Sequence, residues 1–282
     1  MSSVVGTERR VPQVGPDGVS YTASVPAPVR NLEVSFRLDE ARDALTRLNN
    51  VAAKASPRGG RTSALLGVEC LPSKHLRDLV AGKPIKAKAD ADRLVERFER
   101  GCVAGVRADR LDEDVLMAAH RRIVPGGGTV RDCPVWVGGL DLNHAGYVGP
   151  PADQVRRLLA DLVGFLDRDD VCPVVQAAVA YAQLQSVHPF RDGNGRMGRW
   201  LLQVVPRRRG VARSVCPPMG LFFVANTDVF LARLNAFRDG DAWAWCEFFG
   251  DAVVQCAAAA EQVMSGPAAA GQNLNIQSRS PR

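Results

Sequence analysis

The stretch SVHPFRDGNGRMGRW, Ser186 to Trp200, concentrates more reactive side chains than any other part of this chain. His188 brings an imidazole that can take a proton near neutral pH. The residue before a proline is pushed out of helical φ/ψ. Pro189 therefore predicts that a helix over 173–187 stops at His188 and leaves the ring projecting from its end. In the DGNG turn, Gly193, Asn194 and Gly195 are types that tolerate positive φ, and the next helix is expected to begin at about Gly195. Its unpaired N–H groups then face back toward His188 and, with the helix dipole, make a seat for an anion. Arg196 and Arg199, three apart, share one face of that first turn and can grip further phosphate oxygens. Asp192 offers one hard carboxylate oxygen beside the seat, as Mg2+ requires when phosphates and water complete its shell. A lone histidine usually packs a core, and Gly-Asn-Gly alone is usually a turn. Their conjunction predicts transfer of a phosphate-containing group.

The elements that must position these groups are almost all helical. Apolar residues at three-to-four spacing (Leu38, Ala41, Leu45, Leu48, Ala52) predict a helix from about Phe36, broken by ASPRGGRTS at 55–63. A short helix over Ser63–Cys70 and another opening at Pro72 follow, since proline suits a first turn. Further helices are expected at 90–106, 111–123, 152–167, 173–187, 195–205, 227–237 and 242–264. The glycine- and proline-rich segment 124–151 contains one β-type run, PVWVGG (134–139), read as a small hairpin in a loop. The expectation is an all-α single domain with that hairpin, spanning 36–264. Residues 1–35 precede it as an extended or partly disordered arm, and 265–282 follow as a flexible tail.

Bulk properties narrow the class. The chain has 282 residues, 46% hydrophobic and 23% charged, enough for a substantial core. No apolar run approaches the ~18 residues a membrane helix needs, and MSSVVGTERRVPQ lacks the apolar core of a secretory signal. A cytoplasmic location with no membrane partner is expected. Seven scattered cysteines (70, 102, 133, 172, 216, 246, 256) without a CxxC pair suggest reduced thiols filling a core. The formal charge of +6 invites a nucleic-acid reading, but its densest run, PRRRG at 206–210, is short. A solvated helix end is the expected reading and no specific nucleic-acid partner is anticipated. His75 and His120 are read as surface or capping residues, and His144 as a residue of the loop after the hairpin, with approach to a substrate the lesser alternative. No HxxxH pair suggests a transition metal.

At the opening motif the sequence resembles the Fic family, whose signature H-x-F-x-[DE]-G-N-G-R-x-x-R is filled at every fixed position by His188, Phe190, Asp192, Gly193, Asn194, Gly195, Arg196 and Arg199. VWVGG, YVGPP and WAWCEFF extend the similarity to soluble bacterial members. The resemblance implies the Fic fold, a helical bundle with a β-hairpin flap. It also implies Mg2+-dependent transfer of AMP from ATP to a Ser, Thr or Tyr hydroxyl of a protein, with release of pyrophosphate. In that scheme His188 deprotonates the hydroxyl, Asp192 holds the metal, and the backbone of Gly193–Gly195 with Asn194 binds the inner phosphates. Arg196 and Arg199 bind the outer ones. The flap at 134–139 pairs with an extended segment of the target, and a homodimer is one arrangement open to the protein.

LLGVEC (65–70) resembles the family's inhibitory helix, with Glu69 at the glutamate that pairs with the motif's second arginine, Arg199. Leu65 and Cys70 depart from the Ser/Thr and Gly/Asn of that pattern, and a surface glutamate at a helix end is the alternative. Phe230 stands where relatives often place tyrosine, so the base preference is open. Other functions stay open too: removal of AMP at the same site, a nucleotide-binding regulatory module without turnover, and a DNA-associated regulator.

Overall fold

The computed structural model describes residues 6–15, 18–54, 61–83 and 88–265. The chain opens with β1 (Arg9–Val14) and β2 (Ser20–Val25). It continues through α1 (Asp39–Lys54), α2 (Arg61–Glu69), α3 (Ser73–Val80), α4 (Lys88–Arg107) and α5 (Glu113–Ile123) to β3 (Trp136–Val137) and β4 (Tyr147–Val148). It ends with α6 (Ala152–Leu166), α7 (Pro173–Val187), α8 (Asn194–Arg208), α9 (Met219–Ala225), α10 (Thr227–Arg238) and α11 (Ala242–Ser265). The fold is all-α apart from two small antiparallel hairpins, β1–β2 and β3–β4.

Helix α7 is the axle. PVVQAAVAYAQLQSV has no polar face, and its residues are buried nearly all round. A helix hydrophobic on every side belongs in a core. Several of its polar side chains bond main-chain carbonyls. Gln176 Nε2 donates to the carbonyls of Phe165 (3.0 Å) and Arg168 (2.8 Å), and Ser186 Oγ to that of Ala182 (2.9 Å). Helix α6 lays the stripe Val155, Leu158, Leu159, Leu162 and Phe165 into the core beside it. Helix α8 packs closely on α7 because Gly198 has no side chain there; a Cβ would sit 2.5 Å from Gln185 Nε2. On the other flank of α8, Trp200 fills a notch in α4 left by Gly105, where a Cβ would lie 2.4 Å from the indole.

The described residues before α1 include the β1–β2 hairpin and fold back onto the helices. β1 and β2 pair from Arg9↔Val25 to Val14↔Ser20, and Tyr21 and Ala23 of β2 form a small apolar cluster with Val148 of β4. Residues 26–32 then strap α6 and α7. The amides of Val29 and Arg30 donate to Asp161 (2.6 and 3.2 Å), and Gln183 Nε2 donates to Ala27 O (2.9 Å).

The predicted helices are present with ends shifted by a few residues. Helix α9 was not anticipated, because MGLFFVA has no polar residue to mark a period. The expectations for the arm's first five residues, for 55–60 within the break and for the tail from 266 fall outside the described residues. The basic run is not a solvated helix end. Arg208 donates to the carbonyls of Gly105, Val106, Ala108 and Asp109, closing the end of α4. Arg209 does the same for Arg168, Asp169 and Val171. All seven cysteines are free, and five are buried. Among the described residues no helix is long and apolar enough to cross a membrane.

Candidate active site

Helix α7 ends at His188, whose N–H still bonds Leu184 O (2.9 Å) while its own backbone turns left-handed at φ 47°, ψ 59°. For a side chain with a Cβ this conformation costs roughly 1–2 kcal/mol, so the surroundings must impose it. The ring lies with Nδ1 3.3 Å from Gln185 O. A carbonyl only accepts, so Nδ1 carries the proton and Nε2 keeps its lone pair. Burial pushes the imidazole pKa down to about 4, Arg131 and Arg238 push the same way, and the Gln185 carbonyl and Asp192 oppose them. The ring is therefore neutral at pH 7, the state a proton acceptor needs.

The turn between α7 and α8 is locked by Asn194. Its side-chain oxygen accepts from Phe190 N–H (3.0 Å) and its amide donates to Phe190 O (2.7 Å). Its contribution to an anion seat is consequently the main-chain N–H alone. Gly193 adopts φ 82°, and a Cβ there would meet Val124 Cγ2 at 2.4 Å, so both conformation and space require glycine. The first helical bond of α8 runs from Met197 N–H to Gly193 O, so the N–H groups of 194–196 lie ahead of the ladder with no intrahelical partner.

The two motif arginines differ. Arg196 is buried and holds Asp192 Oδ2 at 2.7 Å, while the Asp192 side chain itself is 78% exposed. Burial chiefly lowers the Arg196 pKa, Asp192 works against it, and the Arg199 charge alongside lowers it further. Arg199 turns away toward α2, donating from Nε to Glu69 O (2.9 Å) and from Nη2 to Leu71 O. Glu69 is wholly buried, which removes the surface reading. Its carboxylate does not form the expected ion pair. Oε1 accepts from Gly220 N–H (2.7 Å) at the start of α9, and Oε2 has no hydrogen-bond partner among the described residues. Burial raises its pKa to about 7, against the Arg199 charge and the α9 amides.

Sequence reasoning missed three groups. His120 is buried in the last turn of α5, where Gly128 N–H donates to Nδ1 (2.8 Å), so Nε2–H donates to Asp192 O (2.9 Å). Its ring stacks on Phe190 with centroids 3.7 Å apart, so it braces the turn from beneath. Arg131 lies buried between the β3–β4 hairpin and the His188 loop. Arg238 sits 3.5 Å over the Tyr147 ring and bonds Ser186 Oγ (3.1 Å). Nothing in the local sequence separates these from ordinary surface cations or helix histidines. By contrast His75 is exposed, and His144 is exposed and bonded to Asp141. In the hairpin, Trp136 and Val137 of β3 are exposed, whereas Tyr147 and Val148 of β4 are buried against the body.

Among the described residues no group of three or more His, Cys, Asp or Glu side chains could hold a metal. One exposed carboxylate suits Mg2+ only when phosphate and water oxygens supply the remaining positions, and Asp192 beside the unpaired α8 amides meets that condition.

Residues 110–205 match the sequence profile of the Fic/DOC family, and this part of the chain is a Fic domain. The chain is 30% identical over 153 residues to protein adenylyltransferase fic-1 of Caenorhabditis elegans, covering 51% of this chain and 28% of that protein. It is 32% identical over 144 residues to protein adenylyltransferase Fic of Culex quinquefasciatus, covering 48% and 26%. The chain thus spans little more than a quarter of the length of these curated relatives. A Fic family protein from Desulfovibrio desulfuricans G20 superposes with a TM-score of 0.60 at 24% identity, covering 78% of this chain and 71% of that one, so the framework is the helical Fic fold with its small hairpin.

Proposed function

We propose that this chain is a protein adenylyltransferase that moves AMP from ATP to a Ser, Thr or Tyr hydroxyl of a target protein. One observation carries the reading: a neutral imidazole with a free Nε2 stands at the turn from which the unpaired N–H groups of 194–196 emerge. In this reading those amides take the α- and β-phosphates, and Arg196 adds a buried cation beside them. The hydroxyl oxygen attacks the α-phosphorus as Nε2 takes its proton, and pyrophosphate leaves. A triphosphate seated there brings negative charge close to His188, which raises the imidazole pKa from about 4 and strengthens the base when the substrate is present. Mg2+ bound at Asp192 would supply charge neutralisation of the phosphates. The target lies along β3, which has one strand neighbour and exposes Trp136 and Val137, so an extended segment can add to its edge.

Glu69 restrains this site indirectly. Arg199 must leave the carbonyls of residues 69 and 71 to reach an outer phosphate, and the Glu69 carboxylate fixes those residues by its bond to Gly220. Replacing the side chain loosens the seat without deleting the carbonyls. Stimulation of about tenfold is expected, the scale of one hydrogen bond of about 1.4 kcal/mol. The test is transfer of label from α-labelled ATP with Mg2+ to the chain itself or to lysate proteins. Glu69→Gly should label most, wild type less and His188→Ala not at all. Equal, background-level labelling by Glu69→Gly and His188→Ala would overturn the assignment.

The unpartnered Oε2 of Glu69 favours one second reading, removal of AMP from a modified protein, in which that oxygen orients a water. Release of AMP from a labelled acceptor that depends on Glu69 would distinguish it.

A further inference from the structure

We propose that Arg131 is a positioning residue that fastens both roots of the β3–β4 hairpin to the loop carrying His188, so that a polypeptide docked on the hairpin presents its hydroxyl to the imidazole in one fixed register. The proposal rests on the transferase reading above. Its structural part can be decided without turnover.

The Arg131 guanidinium makes four hydrogen bonds, all to main-chain carbonyls. Nε donates to His188 O (2.8 Å), at the start of the base-bearing loop, and Nη2 to Val187 O (3.4 Å), at the end of α7. Nη1 donates to Cys133 O (2.8 Å), three residues before β3, and Nη2 also to Pro150 O (2.6 Å), two residues after β4. The Arg131 main-chain N–H adds a bond to Pro189 O (2.9 Å). One planar fork thus spans both ends of the hairpin, the left-handed residue and the residue before it, and the main-chain amide holds the residue after it. Among the described residues it forms no ion pair with a carboxylate, and a buried charge without a counter-ion is costly. A neutral side chain could brace a loop at lower cost. What the guanidinium adds is five donors in one plane, aimed in fixed directions. The space around it is shaped to match: a Cβ on Gly149 would lie 3.1 Å from Arg131 Nη2 and 3.3 Å from Val135. The charge has a second effect on the ring it positions. Three ionised groups act on His188, with Arg131 and Arg238 opposing protonation and Asp192 favouring it.

Charge and fork can be separated by experiment. Arg131→Lys keeps the cation but loses the fork, and Arg131→Met loses both. Amide hydrogen exchange should accelerate at least ~10-fold at residues 135–137 and 147–149 in both variants, with α7 and α8 unchanged. The His188 imidazole, followed by NMR titration, should move upward from about 4 in Arg131→Met and stay near the wild-type value in Arg131→Lys. MgATP binding by calorimetry should hold within about threefold, since the phosphate seat lies across the turn. Should Arg131→Met not fold, Gly149→Ala crowds the same guanidinium in an otherwise intact site and should give the same local acceleration. Unchanged hairpin exchange, or acceleration equal in the hairpin, α7 and α8, would overturn the proposal. Failure of wild type to transfer label would sink the transferase reading and leave these readouts able to decide the clamp.

Discussion

Helix α8 carries Arg196 and Arg199 near its start and Arg207, Arg208 and the capping Arg209 at its end, and the two groups have opposite surroundings. At the end, Arg208 and Arg209 meet the carbonyls that finish α4 and the 168–171 turn, neutral acceptors that would otherwise be orphaned. At the start, α8 presents its own N–H groups and the positive pole of its dipole, which is a poor place for a cation. Arg196 stays there against a single exposed carboxylate, and burial and Arg199 both weigh on its charge. Arg199 resembles the carboxyl-terminal pair, because it closes the end of α2. Arginine count and burial therefore say little about anion binding. The sign of what already surrounds each guanidinium says more: carbonyls satisfy it, whereas amides and neighbouring cations leave it wanting an anion.

Arg196→Met offers the strongest way to break this contrast. Label transfer should fall ~10²–10³-fold, the scale of removing one preorganised donor. The melting temperature should hardly fall, because the buried charge that is lost has one exposed carboxylate as its ion-pair partner and methionine keeps the apolar stem packed. Undiminished transfer would make the start of α8 one more structural cap. Arg208→Met should do the reverse: unfolding free energy drops by about 2 kcal/mol as several carbonyls lose their donor. At about 2–4 °C per kcal/mol for a chain of this size, the midpoint falls measurably, while transfer per folded molecule is unchanged. The pH profile sharpens the comparison from the α7 side. His188 accepts a proton only when neutral, and its depressed pKa keeps it neutral above about 4. The acid limb of kcat/KM for the free enzyme should thus appear near pH 4; a limb near the unperturbed 6.5 would mean a wetter ring.

The smallest effect belongs to Glu69. Its folded pKa of about 7 lies above the ordinary 4.5, so the folded chain binds the extra proton between those values. Stability from this group is complete below the unfolded pKa and is lost as pH rises through about 7, by roughly 1 kcal/mol between pH 6 and 8. Melting curves at those two values should show the loss in wild type and not in Glu69→Gln.

Periodicity exposed most helices because α1, α5 and α6 each keep a wet face opposite a dry one. It failed for α9, whose seven residues have no wet face, and for β1–β2, where prolines and short alternation hide the pairing. The candidate site was readable where residue types are rare in combination, from His188 through Arg199. Its supports were not. His120 sits among arginines on a helix and Arg131 in a loop rich in glycine and proline, so each has the local sequence of a surface residue. Their roles come from partners 72 and 57 positions away, which no local window contains. The same distance explains Glu69: the family resemblance paired it with Arg199, but only the fold shows its carboxylate turned to α9.

The strap across α6 and α7 has a bearing on assembly kinetics. Val29 and Ala27 find Asp161 and Gln183 at separations of 132 and 156 positions, so these links close loops spanning about half the polypeptide. Joining such remote segments is entropically slow. Until it happens, the wall behind the base-bearing helix stands open to solvent, which makes the strap a late-closing latch.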